Sequence, residues 1–87
     1  MEKIIVNGVD LTAHLDNKLK QAKQVMVTGE GREVAKMFQT QAFGAIEFAC
    51  LSTYEKDPAL EAKIIQLWND DYRRRFELVI YGSGERA

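Results

Sequence analysis

A chain of 87 residues that is 46% hydrophobic and 29% charged allows one domain, which buries only roughly 60% of the surface its unfolded form exposes. A net charge of −1 and a pI near 5.8 argue against a coat for phosphate backbones, because non-specific nucleic-acid binding needs a positive field; a small phosphate ligand, which needs two or three placed cations, stays open. With Cys50 the only cysteine and His14 the only histidine there is neither a disulfide framework nor zinc spacing, and no apolar run approaches the roughly 20 residues of a membrane span.

A small scaffold without staples gains stability most readily by self-association, so a homo-oligomer is the leading expectation. A free cysteine on an apolar helix face suits a reducing compartment, which makes the cytoplasm the expected location.

Residues 1–10 read as an N-terminal arm. Lys3 to Val6 is a short β-branched run, Asn7-Gly8 is the strongest two-residue hairpin signal, and Val9-Asp10 returns. So short a hairpin either packs against the helices or adds to the arm of a neighbouring subunit. Asp10 or Thr12 can cap the helix that follows.

The first helix is predicted over 11–27, with Leu11, Leu15, Leu19, Ala22 and Met26 as one apolar stripe and Asp16, Lys18, Lys20, Gln21, Lys23 and Gln24 on a solvated face. Thr28-Gly29-Glu30-Gly31 ends it, with Gly29 as the left-handed cap.

The second helix, 31–54, is the central one. From Glu33 to Tyr54 it carries one formal charge after Lys36, namely Glu47, and apolar or small groups occupy several faces: Val34, Met37, Phe38, Ala42, Ala45, Phe48 and Ala49. One packing partner cannot hide them, so this helix is expected to be covered nearly all round and to form an oligomer contact. Gly44 costs about 1 kcal/mol of helix propensity relative to Ala, which predicts that another backbone approaches closely there. The triplet Gln39-Thr40-Gln41 spreads polar groups over a wide arc.

Asp57-Pro58 is a sharp start for a third helix over 58–80, Asp as N-cap and Pro where its missing N–H does no harm. Its expected buried stripe is Leu60, Ile64, Leu67, Trp68, Tyr72, Phe76 and Val79, and 82–87 should fray. The predicted fold class is therefore mainly all-α: a three-helix antiparallel arrangement with a short N-terminal β-hairpin arm, in a single domain that assembles as a homo-oligomer.

Catalytic machinery is hard to assemble from these residues. Cys50 in the apolar central helix reads as a packing residue, and His14 in the first turn of the first helix as a surface or partly buried group. No enzyme, metal or cofactor is expected. Gly29-Glu30-Gly31-Arg32, with Lys36 one turn on, has two readings: a plain helix–helix turn with solvated charges, or an anion site at a helix N-terminus. Arg73-Arg74-Arg75 follows Asp70-Asp71, so salt bridges from Asp70 to Arg74 and Asp71 to Arg75 are the ordinary reading and phosphate contact across an oligomer the sharper one. Tyr54, Tyr72 and Tyr81 could each stack on a base; Tyr72 falls on the buried stripe, and Tyr54, beside a loop, is the freest.

Arg32 at the opening of the second helix and Phe43-Gly44-Ala45-Ile46 through its middle resemble the central helix of a family of small phage proteins that defeat CBASS immunity by sequestering its cyclic oligonucleotide messengers. The likeness covers roughly residues 20 to 52. It implies a small, all-helical oligomer that binds cyclic dinucleotides, and in some members cyclic trinucleotides, at subunit interfaces without hydrolysing them. It also implies that a lysine late in the first helix faces a ligand phosphate, for which Lys23 is the nearest match.

Lys23, Arg32 and Lys36 are then the candidates for phosphates, and Phe43 and Tyr54 the aromatic candidates for bases. The partners implied are a cyclic oligonucleotide and further copies of the chain, with no long nucleic acid and no membrane, in the host cytoplasm if the protein is a phage product. The alternative is a different class of function, a helical interaction module or assembly subunit that docks on a host or structural protein through the polar-studded central helix or the arm.

Overall fold

In a computed structural model, which describes residues 4–29 and 31–82, Asn7 and Gly8 both take positive φ (52° and 77°), as a two-residue type I′ turn requires. They fold β1 (Ile5–Val6) antiparallel onto β2 (Val9–Asp10), pairing Ile5 with Asp10 and Val6 with Val9. Of the two fates open to this arm, packing on its own helices is the one observed. Ile4 and Val6 are buried in the core, the Leu11 N–H donates to the Ile4 carbonyl (2.8 Å), and Asn7 Nδ2 donates to Ser52 Oγ (3.0 Å). Lys3, expected in the first strand, lies outside the described residues.

Asp10 caps α1 (Leu11–Thr28) by accepting from the Ala13 N–H. Thr12, the other capping candidate, has its hydroxyl buried without a hydrogen-bond partner among the described residues. Gly29 ends the helix at φ 88° and donates its N–H to the Val25 carbonyl, a left-handed cap as expected. Leu11, Leu15, Leu19 and Ala22 are buried, while Met26 at the end of the stripe is half-buried. The opposite face is less uniformly solvated than expected. Lys18 Nζ donates to Gln41 Oε1 (2.7 Å) and lies 5.7 Å from the Phe38 ring centroid, and Asp16 accepts the Tyr72 hydroxyl.

The central helix, α2 (Arg32–Thr53), runs back along α1 and then turns through Tyr54 to Asp57, where Glu55 sits at φ 62°. Asp57 caps the third helical segment by accepting from the Leu60 N–H, with Pro58 at its first position. This third segment is one rod in three parts: α3 (Pro58–Leu67), a π-helical turn (Trp68–Tyr72) and α4 (Arg73–Tyr81). The rod's beginning packs on the end of α2, and α4 packs on both α1 and the start of α2. The fold is thus mainly helical, three helices and a two-stranded N-terminal hairpin.

The π turn has a cause in the sequence. Ile64, Trp68, Tyr72, Phe76 and Ile80 recur at four-residue steps and all are buried. At 3.6 residues per turn each such step overshoots by about 40°, so the stripe would drift roughly 160° around a regular helix. A π turn absorbs one extra residue, about 100° of rotation, and brings the stripe back towards the core. The Arg73 N–H reaches the Trp68 carbonyl in consequence. The expected stripe is corrected accordingly: Ile80, which it omitted, is fully buried, and Leu60, Leu67 and Val79 are only partly so.

Candidate functional site

The charge-poor α2 is covered on one face only within the chain. Ala35, Ala42, Ile46, Ala49 and Thr53 face inward and are buried, whereas Met37, Phe48 and Leu51 remain 54%, 66% and 75% exposed. The expectation of cover nearly all round therefore does not hold for a single copy. A close backbone approach at Gly44 does not occur in it either: Gly44 is exposed, and a Cβ placed there would meet nothing within 4 Å. Met37, Phe48 and Leu51 sit at positions that α1, the arm and the α3–α4 rod leave more than half uncovered.

At the N-terminal end of α2 the two cations expected to bind phosphate converge on one ring. The Arg32 guanidinium lies 5.6 Å and Lys36 Nζ 5.7 Å from the centroid of Tyr81. Arg32 Nε also donates to the Ile80 carbonyl (3.0 Å), where the carbonyl end of α4 favours a cation, and Lys36 pairs with Glu33 at 3.8 Å. Arg32 therefore ties α2 to the end of the rod and still presents an exposed side chain. Glu30, in the glycine loop just before it, lies outside the described residues.

Phe43 and Tyr54 are elsewhere, along an open groove of about 630 Å³ between α2 and α3. Phe43 stacks at a tilt on Trp68 (5.5 Å between centroids), and Trp68 on Phe76 (5.9 Å), so the π turn supplies the groove with its aromatic floor. Leu51 and Ile65 line it with Cys50, Glu47 and Glu61. Burial first, then the Glu61 and Glu47 carboxylates, push the Cys50 thiol above its ordinary value. A groove whose charges are carboxylates does not suit a phosphate. Cys50, expected to be a packing residue, is half-buried at this groove, and His14 opens onto a different, smaller hollow with Val9 and Phe48.

Lys23 is exposed on α1 beside Lys20 and Val27, in a third place. The five expected ligand residues thus fall into three groups: Arg32 with Lys36, Phe43 with Tyr54, and Lys23 alone. Arg32 and Tyr54 are separated by the length of α2, roughly 33 Å. Tyr81, weighed as a base-stacking ring but passed over for Tyr54, is the aromatic that does meet cations. Only the antiparallel pairing of α2 with the rod puts it beside Arg32, and no local pattern signals that.

Arg75 pairs with Asp71 (2.6 Å) and Arg73 with Glu77 (3.6 Å), whereas the expected Asp70–Arg74 pair is not formed among the described residues. Among the described residues no group of three or more metal-ligating side chains gathers, and no helix is long and apolar enough to cross a membrane. No protein-family model, curated protein or solved structure matches the chain.

Proposed function

We propose that the protein binds cyclic di- or trinucleotide immune messengers without hydrolysing them, between copies of itself in the host cytoplasm, and so blocks a bacterial antiphage defence. The observation that carries this reading is the convergence of Arg32 and Lys36 on the Tyr81 ring at one end of α2. Two cations beside one aromatic face provide charge for phosphates and a π surface for a base. The resemblance of Arg32 and Phe43-Gly44-Ala45-Ile46 to the sequestering family supplies the ligand class. Tyr54 lies the length of α2 from these cations in one copy, so a role for it beside Tyr81 requires a second copy.

Thermal unfolding against a panel of cyclic di- and trinucleotides tests the proposal. A ligand at 100 times its dissociation constant adds about 2.7 kcal/mol, a rise in Tm of roughly 10 to 20 °C for a domain of this size. No rise with any member of the panel rejects it.

The groove between α2 and α3 favours a second reading, a protein-interaction module. Its apolar floor and the carboxylates of Glu47 and Glu61 fit an amphipathic helix with basic flanks. Under that reading nucleotides leave Tm unchanged and a groove substitution, Ile65→Glu, abolishes recovery of the partner in a pull-down.

A further inference from the structure

Met37, Gln41, Gly44, Phe48 and Leu51 follow one another at steps of four, three, four and three along α2, and all five are exposed. That spacing draws one straight seam on the side away from the core. We propose that this seam packs antiparallel on the same seam of a second copy, about a twofold axis at Gly44, and that the pairing brings the second copy's Tyr54 to the Arg32–Lys36–Tyr81 cluster. The inference rests on the self-association in the reading above and gives it a face and a geometry.

Position and charge support this occupant. Gly44 is the midpoint between Met37 and Leu51, so the twofold sets Met37 against the second copy's Leu51 at both ends. Phe48 then falls at the level of the second copy's Thr40, one turn from its Gly44, where no side chain of that copy stands in the way. Isologous contacts bring like groups together, and the seam avoids the cost by holding no charge. The carboxylates beside it meet donors: Glu47 comes level with the second copy's Thr40 hydroxyl and Gln41 amide, and Glu33 with its Tyr54 hydroxyl. The Gln41 amide is free to donate, because its oxygen already takes the Lys18 ammonium.

At about 100° per residue, Glu33, Lys36, Thr40, Glu47 and Tyr54 all lie to one side of the seam. An antiparallel pair therefore stacks the cation cluster of one copy on the Tyr54 end of the other, twice per dimer. Each site then has Arg32, Lys36 and Tyr81 from one chain and Tyr54 from the other, joining two groups that a single copy keeps apart.

Solution mass and disulfide trapping test this on the full chain. In a Cys50→Ala background, Met37→Cys mixed with Leu51→Cys is expected to give a mixed disulfide dimer, with little product from either alone. Self-linking of Met37→Cys, or no mixed product, overturns the pairing. Phe48→Glu, at a position exposed in the single copy, is expected to halve the mass with helix content unchanged by circular dichroism; an unchanged mass overturns the proposal. A dimer with the expected disulfides that binds no cyclic nucleotide keeps this pairing and rejects the ligand reading. Nucleotide binding by an oligomer that ignores Phe48→Glu does the reverse.

Discussion

Towards the core α2 presents Ala35, Ala42, Ala49 and Thr53, with Ile46 its one large buried residue, whereas towards solvent it carries Met37, Phe43, Phe48 and Leu51. The bulk of the core comes from its neighbours: Leu15 from α1, Ile64 from α3, Tyr72 from the π turn, Phe76 and Ile80 from α4. Small side chains on the inner face leave room there for the large residues of α1 and the rod. Large ones on the outer face gain less from the chain's own fold, since hydrophobic stabilisation follows area removed from water, at about 25 cal/mol per Å². Charge poverty in a helix thus does not say how much of it the chain's own fold covers: here one face is buried and the other left exposed.

Substitutions on the two sides should therefore differ sharply. Phe76→Ala, at a fully buried position, is expected to cost about 3–5 kcal/mol, a large part of the stability of so small a domain, as read by urea denaturation. Losses below 1 kcal/mol would mean that the inner side is not the core. Tyr72→Phe comes next. It removes the hydrogen bond to Asp16 and should cost about 1–2 kcal/mol.

Burial, and after it the hydrogen bond and charge of Asp16, push the Tyr72 hydroxyl up against a small opposing effect of Arg75. Folding thus favours the protonated phenol, and its stabilisation is complete below the unfolded value of about 10 and falls as pH rises above that. Tyr72→Phe should flatten this alkaline loss in unfolding experiments across that range; an unchanged slope would place the loss elsewhere.

Asp57→Ala should cost about 1 kcal/mol, by removing the cap on the Leu60 N–H. Gly44→Ala has the opposite sign in the single copy. With nothing near the added methyl, it should raise monomer stability by up to about 1 kcal/mol through helix propensity, measured in a Phe48→Glu background. A loss there would mean that Gly44 is closely packed within the single copy itself. The smallest effect belongs to Leu51→Ala in the same background, within about 0.5 kcal/mol of zero.

Local chemistry was readable where the chain uses local signals. Asn7-Gly8, the Asp10 cap, the Gly29 cap and Asp57-Pro58 each act through their own backbone, so the hairpin and the helix limits follow from a few residues. What the pattern of α2 concealed is which apolar residues face inward, because alanine and phenylalanine both read as apolar while the depth of the interface selects between them. The ligand candidates suffered from the same non-locality. Arg32 and Lys36 fall on one ring as their spacing suggests, but that ring is Tyr81, some 45 residues away and paired to them only by tertiary packing. The four-residue recurrence from Ile64 to Ile80 was visible in principle and encodes the π turn, which a search for a 3.6-residue period passes over.

That turn makes the rod a phase-setting device. Were the same residues wound as an unbroken α-helix, with none deleted, everything beyond the turn would rotate by about 100°. Phe76 and Ile80 would leave the core, and Tyr81 would swing away from Arg32 and Lys36. A single inserted residue thus links the packing of α4 to the position of the one aromatic ring that the cations share, so that neither can drift in length or register without disturbing the other.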